Sequence, residues 1–156
     1  MSRLSAIVRR WGHRPRFAAI GRRLVAYDRL LGRLTRGRFV GLGMRDLPCL
    51  LLTTTGRRSG QPRTTPLLFV RDGDAYVVIG SNWGQQVHPA WSANLLADPN
   101  ATVTLDGRQF PVRAHRVSGA ERDRLFAVLR STWPAYETYA ERAAGRNLRV
   151  FRLEPR

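Results

Sequence analysis

Leu51-Leu52-Thr53-Thr54-Thr55-Gly56-Arg57-Arg58-Ser59-Gly60-Gln61-Pro62-Arg63-Thr64-Thr65-Pro66-Leu67-Leu68 decides how the rest of the chain is read. An apolar and β-branched run ends in a short loop bounded by glycines, and a second extended run follows it. That pattern predicts a strand, a tight turn and a return strand. Glycine at both ends of the loop permits positive φ and close approach of the backbone to a ligand. The adjacent Arg57 and Arg58, followed by Arg63, offer guanidinium forks that pair with phosphate or carboxylate. Successive backbone N–H groups in such a turn can also cup an anion. The stretch therefore reads either as an anion grip or as a hairpin with a basic tip. It is neither a Walker loop nor a dinucleotide fingerprint, because no G-x-x-x-x-G-K-[ST] is present and no helical pattern follows directly.

Working outward, Asp72-Gly73 marks a hairpin into a strand over Ala75 to Ser81. Asn82 to His88 is expected to be a loop, with Gly84 lending flexibility. Pro89 opens a short helix over Ala90 to Ala97, which Asp98-Pro99-Asn100 ends. Ala101 to Leu105 and Arg108 to Val117 flank a second Asp-Gly turn at Asp106-Gly107. Ser118-Gly119-Ala120-Glu121 has the form of a capping box and predicts a helix from Gly119 to Ser131. A shorter helical piece is expected over Tyr136 to Ala144, and a last strand over Asn147 to Leu153. In the other direction, Phe17, Ile20, Leu24, Tyr27, Leu31 and Leu34 recur at spacings of three and four, with arginines largely off that stripe. This predicts a basic amphipathic helix that either packs on the protein or lies on an anionic membrane surface. The chain divides into a basic N-terminal segment with this helix, 1–37, and a β domain, 38–156. The fold expected is mainly β with helices (α+β), a small antiparallel barrel whose helices cover it.

Composition narrows the chemistry. The 156 residues carry a formal net charge of +16, and every basic side chain other than histidine is arginine. Without lysine there is no Schiff-base chemistry and no P-loop lysine. The single cysteine, Cys49, lies in an apolar run, and the three histidines are widely separated, so no metal site is expected. No G-x-S-x-G elbow and no carboxylate pair suited to acid–base work is present. His88 and His115 read as solvated or locally hydrogen-bonded. The basic balance calls for an anionic partner. No helix-turn-helix or RNA-binding motif accompanies it, so nucleic acid is not the expected partner. No apolar run reaches the length of a membrane span and no hydrophobic signal core is seen, which predicts a cytoplasmic protein.

A chain with an anion grip and no nucleophile suits an enzyme whose cofactor carries the chemistry. Trp133, Tyr136 and Tyr139 recur every three residues and share roughly one helical face. That face is either core or the wall of a cavity, and the tyrosine hydroxyls need partners if buried.

Residues 51–63, with Thr65-Pro66-Leu67, Gly80-Ser81-Asn82, Pro89-Ala90-Trp91, Asn94-Leu95, Asp98-Pro99 and Trp133-Pro134-Ala135-Tyr136-Glu137-Thr138-Tyr139, resemble the deazaflavin-dependent nitroreductase family in the same order along residues 40–155. The resemblance implies a split β-barrel of the FMN-binding-barrel type that binds coenzyme F420, a deazaflavin with a phosphodiester and a glutamate tail; FMN is the alternative cofactor. By position it implies that Arg57, Arg58, Ser59, Gly60 and Arg63 hold the phosphate and tail. Thr65 and Pro66 would approach the ribityl chain or ring, Ser81 and Asn82 would reach the headgroup, and Trp91 and Asn94 would complete the wall. Leu68, Trp133, Tyr136 and Tyr139 would border the substrate, with Ser81 and Tyr136 supplying a hydrogen bond or proton. The implied activity is hydride transfer from reduced deazaflavin to a quinone or nitroaromatic acceptor. A deazaflavin carrier with little turnover is the non-enzymatic alternative. A quinone acceptor would suit a protein peripheral to the inner face of the cell membrane. Leu68 replaces an aromatic residue of the family, Trp133 a tyrosine and Asn82 a basic residue, which alters the pocket more than the anion grip.

Overall fold

The structure, a computed structural model, describes residues 47–156. The expected amphipathic helix at Phe17–Leu34 and the boundary between 1–37 and 38–156 lie outside the described residues. In chain order these residues form β1 (Cys49–Thr55), β2 (Pro62–Asp72), β3 (Ala75–Ile79), a 3₁₀ turn at Asn82–Gly84 and α1 (Ala90–Ala97). There follow β4 (Asn100–Leu105), β5 (Arg108–Val117), α2 (Gly119–Thr132), α3 (Ala135–Arg142) and β6 (Val150–Pro155). The strands close into an antiparallel barrel in the order β1-β2-β3-β6-β5-β4, so the expected fold class is what the chain adopts.

Turn chemistry sets the hairpins. Leu105 pairs with Arg108 across Asp106 and Gly107, and both turn residues have positive φ, 51° and 77°. A two-residue loop of that kind matches the twist of the strands it joins. Asp72 pairs with Ala75, so the β2–β3 turn is Gly73-Asp74, one residue later than the Asp-Gly signal suggests.

The alternation of strand side chains divides the core into an inner and an outer layer. Tyr76 and Val78 of β3 join Leu50, Leu52, Val103, Val112 and Phe151 inside the barrel. Val77 and Ile79 face outward and pack with Leu125, Leu129, Trp133 and Tyr139. All five residues of β3 are buried because both of its faces are covered, which explains the continuous apolar run Ala75–Ile79. α1 seals one barrel end, as Trp91 and Leu95 belong to the interior cluster. α2 and α3 instead cover the outer wall. Asp72 fastens α2 to the β2–β3 hairpin through both oxygens, 2.9 and 3.1 Å from Arg124.

Two local expectations are corrected. Ser118 is the N-cap of α2 but makes no side-chain bond to the helix; Gly119, at φ +57°, carries the backbone out of the right-handed geometry a capping box needs. The last strand begins at Val150 rather than Asn147, because the chain turns through left-handed Ala144 and Gly145 (φ 50° and 80°) before entering the sheet.

One register feature prepares the site. β2 pairs with β1 over Pro62–Leu68 but with β3 only over Phe69–Asp72. The first half of β2 therefore has no β3 partner, and the barrel is split there. Pro66, which has no N–H to donate, sits in that half, where no β3 ladder requires one.

Candidate functional site

The β1–β2 turn is held by its own backbone. Gly56 N–H donates to Gln61 C=O (2.8 Å), and the N–H groups of Ser59 and Gly60 both donate to Gly56 C=O (3.1 and 2.7 Å). Gly60 adopts φ +67°, a conformation that favours glycine. The Arg57 N–H donates to Asn94 Oδ1 at 3.1 Å. These donors are thus committed internally, and the expected cup of free N–H groups is not formed by them. The anion-holding capacity of this turn resides in the exposed side chains of Arg57, Arg58 and Arg63. None of the three forms an ion pair with an acid among the described residues.

Asn94 is the link between turn and helix. It is buried on α1, where its Oδ1 accepts from Arg57 N–H and its Nδ2 donates to Thr54 Oγ1 at 3.1 Å. Both ends of the amide are used, which fixes its orientation. Asn94→Ala leaves the buried Thr54 hydroxyl and the part-buried Arg57 N–H without this partner, at a cost of about 1–3 kcal/mol. The expected result is a lower denaturation midpoint together with weaker ligand binding, because the turn loses its anchor to α1.

A cavity of about 530 Å³ opens between this turn, the unpaired half of β2, the 82–88 segment and the start of α1. That volume lies within the usual range for small-molecule sites. Of the residues singled out from sequence, Arg57, Arg58, Ser59, Arg63, Thr65, Asn82, Trp91 and Asn94 line it. Gly60 and Pro66 do not, nor does Ser81, although Ser81 directly precedes Asn82. Gly56, Thr64, His88, Pro89 and Ala90 also line it, although the sequence reading gave them no role in holding cofactor or substrate.

Leu68, Trp133, Tyr136 and Tyr139 lie elsewhere. Trp133, Tyr136 and Tyr139 are buried in the outer core beneath α2 and α3, and Leu68 packs against that cluster. Tyr139 meets the Tyr136 and Trp83 rings edge-on, with centroids 6.2 and 6.0 Å away. The Trp133 side chain hydrogen-bonds to the Tyr139 hydroxyl. Burial pushes the Tyr139 pKa up to about 12 and raises that of Tyr136 further, so both phenols stay protonated at neutral pH.

The segment joining this cluster to the cavity is sharply bent. Asn82, Trp83 and Gly84 have φ of 47°, 58° and 76° in succession. For tryptophan this conformation costs on the order of 1–3 kcal/mol, and such strain clusters at functional sites. Gly84 does not supply flexibility. A Cβ there would lie 3.0 Å from Arg142 Cβ and 3.1 Å from Tyr139 Cα, so glycine permits close contact with α3. Arg146 clamps the same segment, donating to the C=O groups of Gln85 (3.0 Å), Gly80 (3.1 Å) and Ser81 (2.8 Å), with Nη1 3.0 Å from His88 Nδ1. Nothing in the sequence separates Arg146 from the other arginines, because its role depends on a contact 58 to 66 residues distant.

Comparison with known proteins matches residues 27–155 to a family model described as F420H(2)-dependent quinone reductase. An F420H(2)-dependent quinone reductase of Mycobacterium tuberculosis is 40% identical over 84 residues, 53% of this chain and 56% of that protein. The matched stretch thus spans little more than half the length of that relative. A solved structure of an F420-H2 dependent reductase superposes with TM-score 0.63 at 31% identity, covering 69% of this chain and 94% of the other. A heme storage protein from Vibrio cholerae, with TM-score 0.55 and 16% identity, covers 72% of this chain and 84% of its own and shares the fold alone.

Proposed function

The chain belongs to the F420H(2)-dependent quinone reductase family, and from that premise we propose that it passes reducing equivalents from reduced coenzyme F420 to a quinone. The observation that carries this reading is a set of three arginines without acidic partners among the described residues, on the lip of a cavity of about 530 Å³. A polyanionic cofactor meets that lip with charge-assisted hydrogen bonds, and the residues present fit it.

Arg57, Arg58 and Arg63, with Ser59 and Gly60 shaping the turn, hold the phosphate and acidic tail. Thr65, Asn82 and Trp91 wall the ring and ribityl chain, with Pro66 stiffening β2 behind Thr65 and Asn94 keeping turn and α1 in register. When bound, the reduced deazaflavin supplies the hydride. Ser81, at the end of the β3 connection, is the side chain assigned to hydrogen-bond the acceptor where negative charge develops. Tyr136 and Tyr139, with Trp133 and Leu68, brace the strained 82–84 turn and so shape the acceptor side indirectly. Burial keeps Tyr136 a neutral phenol within that cluster. A nitroaromatic is the second acceptor class, and the apolar stripe from Phe17 to Leu34, with arginines largely off it, suits an anionic membrane surface where a lipid quinone resides.

The test is a parallel titration of purified protein with F420 and with FMN, followed by stopped-flow mixing of the reduced complex with menadione. Tight F420 binding, weak FMN binding and rapid cofactor oxidation are expected. Binding without oxidation by menadione would replace the reductase reading with a carrier, and preference for FMN would overturn the cofactor assignment.

A further inference from the structure

His88 lines the cavity immediately before α1, and its bonding determines which ring nitrogen carries the proton. A guanidinium has only donors, so the 3.0 Å contact from Arg146 Nη1 makes His88 Nδ1 an acceptor. A ring that accepts at Nδ1 is neutral and protonated at Nε2. Among the described residues Nε2–H has no protein acceptor.

The surroundings of the ring favour the same state. Burial, then the neighbouring cations Arg149, Arg146 and Arg116, depress the His88 pKa below that of free imidazole. No acid among the described residues forms an ion pair with any of these arginines. Arg149 Nη1 donates to Ser92 Oγ on α1 at 3.3 Å, while its Nε is buried without a partner. This corner of the cavity thus combines an unused N–H with an uncompensated positive field. His88 lines the same cavity as the turn arginines, and the charge of Arg57 reaches Arg149. An electron-rich ligand oxygen that accepts a hydrogen bond, such as a carbonyl, is the group that satisfies both features.

We propose that His88 is a binding residue whose Nε2–H donates to a carbonyl oxygen of the cofactor headgroup, and that Arg146 is the residue that positions it. This rests on the reading of the cavity as an F420 site. The headgroup is chosen over the phosphate because the phosphate already has the turn arginines. Arg146 also ties the His88 ring to the C=O of Ser81, beside Asn82, where the headgroup is placed.

Two substitutions separate this role from a purely structural one. His88→Asn places an amide near the Nδ1 position, where its oxygen still accepts from Arg146, but removes the donor at Nε2. His88→Gln places the amide near Nε2, where it still donates into the cavity, but takes the acceptor away from Arg146. F420 affinity, read by fluorescence quenching, is expected to fall about tenfold in His88→Asn and to fall less in His88→Gln, which keeps the donor but loses the Arg146 contact that positions it. A residue that only holds the loop gives the opposite order; that order, or equal affinities in the two variants, overturns the proposal. If either variant fails to fold, ¹⁵N spectra of the wild-type histidine rings decide instead. They should show His88 neutral and Nε2-protonated at pH 7, with an Nε2 signal that moves on adding F420. A stationary signal or an Nδ1-protonated ring overturns the proposal. Should the wild type bind no F420 at all, the proposed function falls and this inference falls with it; wild-type binding with the wrong order of variants removes the inference alone.

Discussion

Replacing Arg57 and Arg58 together with alanine should weaken F420 binding by about a hundredfold or more while leaving the fold intact. Charge-assisted hydrogen bonds contribute roughly 1.5–3 kcal/mol each, and two of them would be lost from one ligand. The fold should survive because both side chains are exposed and neither forms an ion pair among the described residues. Among the described residues, Arg57 is tied in through its backbone N–H, to Asn94 Oδ1, and alanine keeps that bond. The measurement pairs fluorescence quenching with thermal denaturation. The affinity loss should also shrink as salt is raised, since the wild-type contact is partly screened. An unchanged dissociation constant in the double variant would sink the assignment of the grip.

Tyr139→Ala is the substitution expected to affect stability most. The ring is 2% exposed and packs on Trp83, Tyr136 and the backbone of Gly84. Truncating a buried aromatic to alanine costs about 3–5 kcal/mol, a large share of the roughly 5–15 kcal/mol that holds a domain folded. It also removes the hydrogen-bond partner of Trp133. Chemical denaturation should show a large fall in midpoint, and Tyr139→Phe, which keeps the ring, should recover most of it. The two possible roles of the aromatic face give different outcomes. A residue that merely bordered a substrate would change KM with stability preserved, whereas a core residue lowers stability and disturbs the cavity through the 82–84 turn.

The barrel was legible because its signals are local. Asp106-Gly107 adopts positive φ at both residues, and the Leu51–Leu68 stretch becomes strand, turn and return strand in β1 and β2, as expected. Arg57, Arg58 and Arg63 were legible as a set because they lie in one contiguous motif, Trp91 and Asn94 entered through the family resemblance, and the fold brings all five to one cavity. Turn type, alternation and residue chemistry are properties of short segments, so a linear reading recovers them.

What the linear pattern left open were questions of burial and partnership. A three-residue spacing puts Trp133, Tyr136 and Tyr139 on one face, but only packing against β3 and β6 shows that this face is core. Gly84 looks like a hinge in sequence and is a close contact with α3 in space. The turn N–H groups look available until Gln61, Gly56 and Asn94 are seen to accept from them. Above all, burial and the nearby arginines depress the His88 pKa, and its Nδ1 contact comes from Arg146, 58 residues away along the chain. The sequence thus determined the scaffold and the charged lip, because both arise from neighbouring residues. The tertiary structure decided which polar groups remain unpaired at the cavity, because that depends on long-range contacts with no local signature.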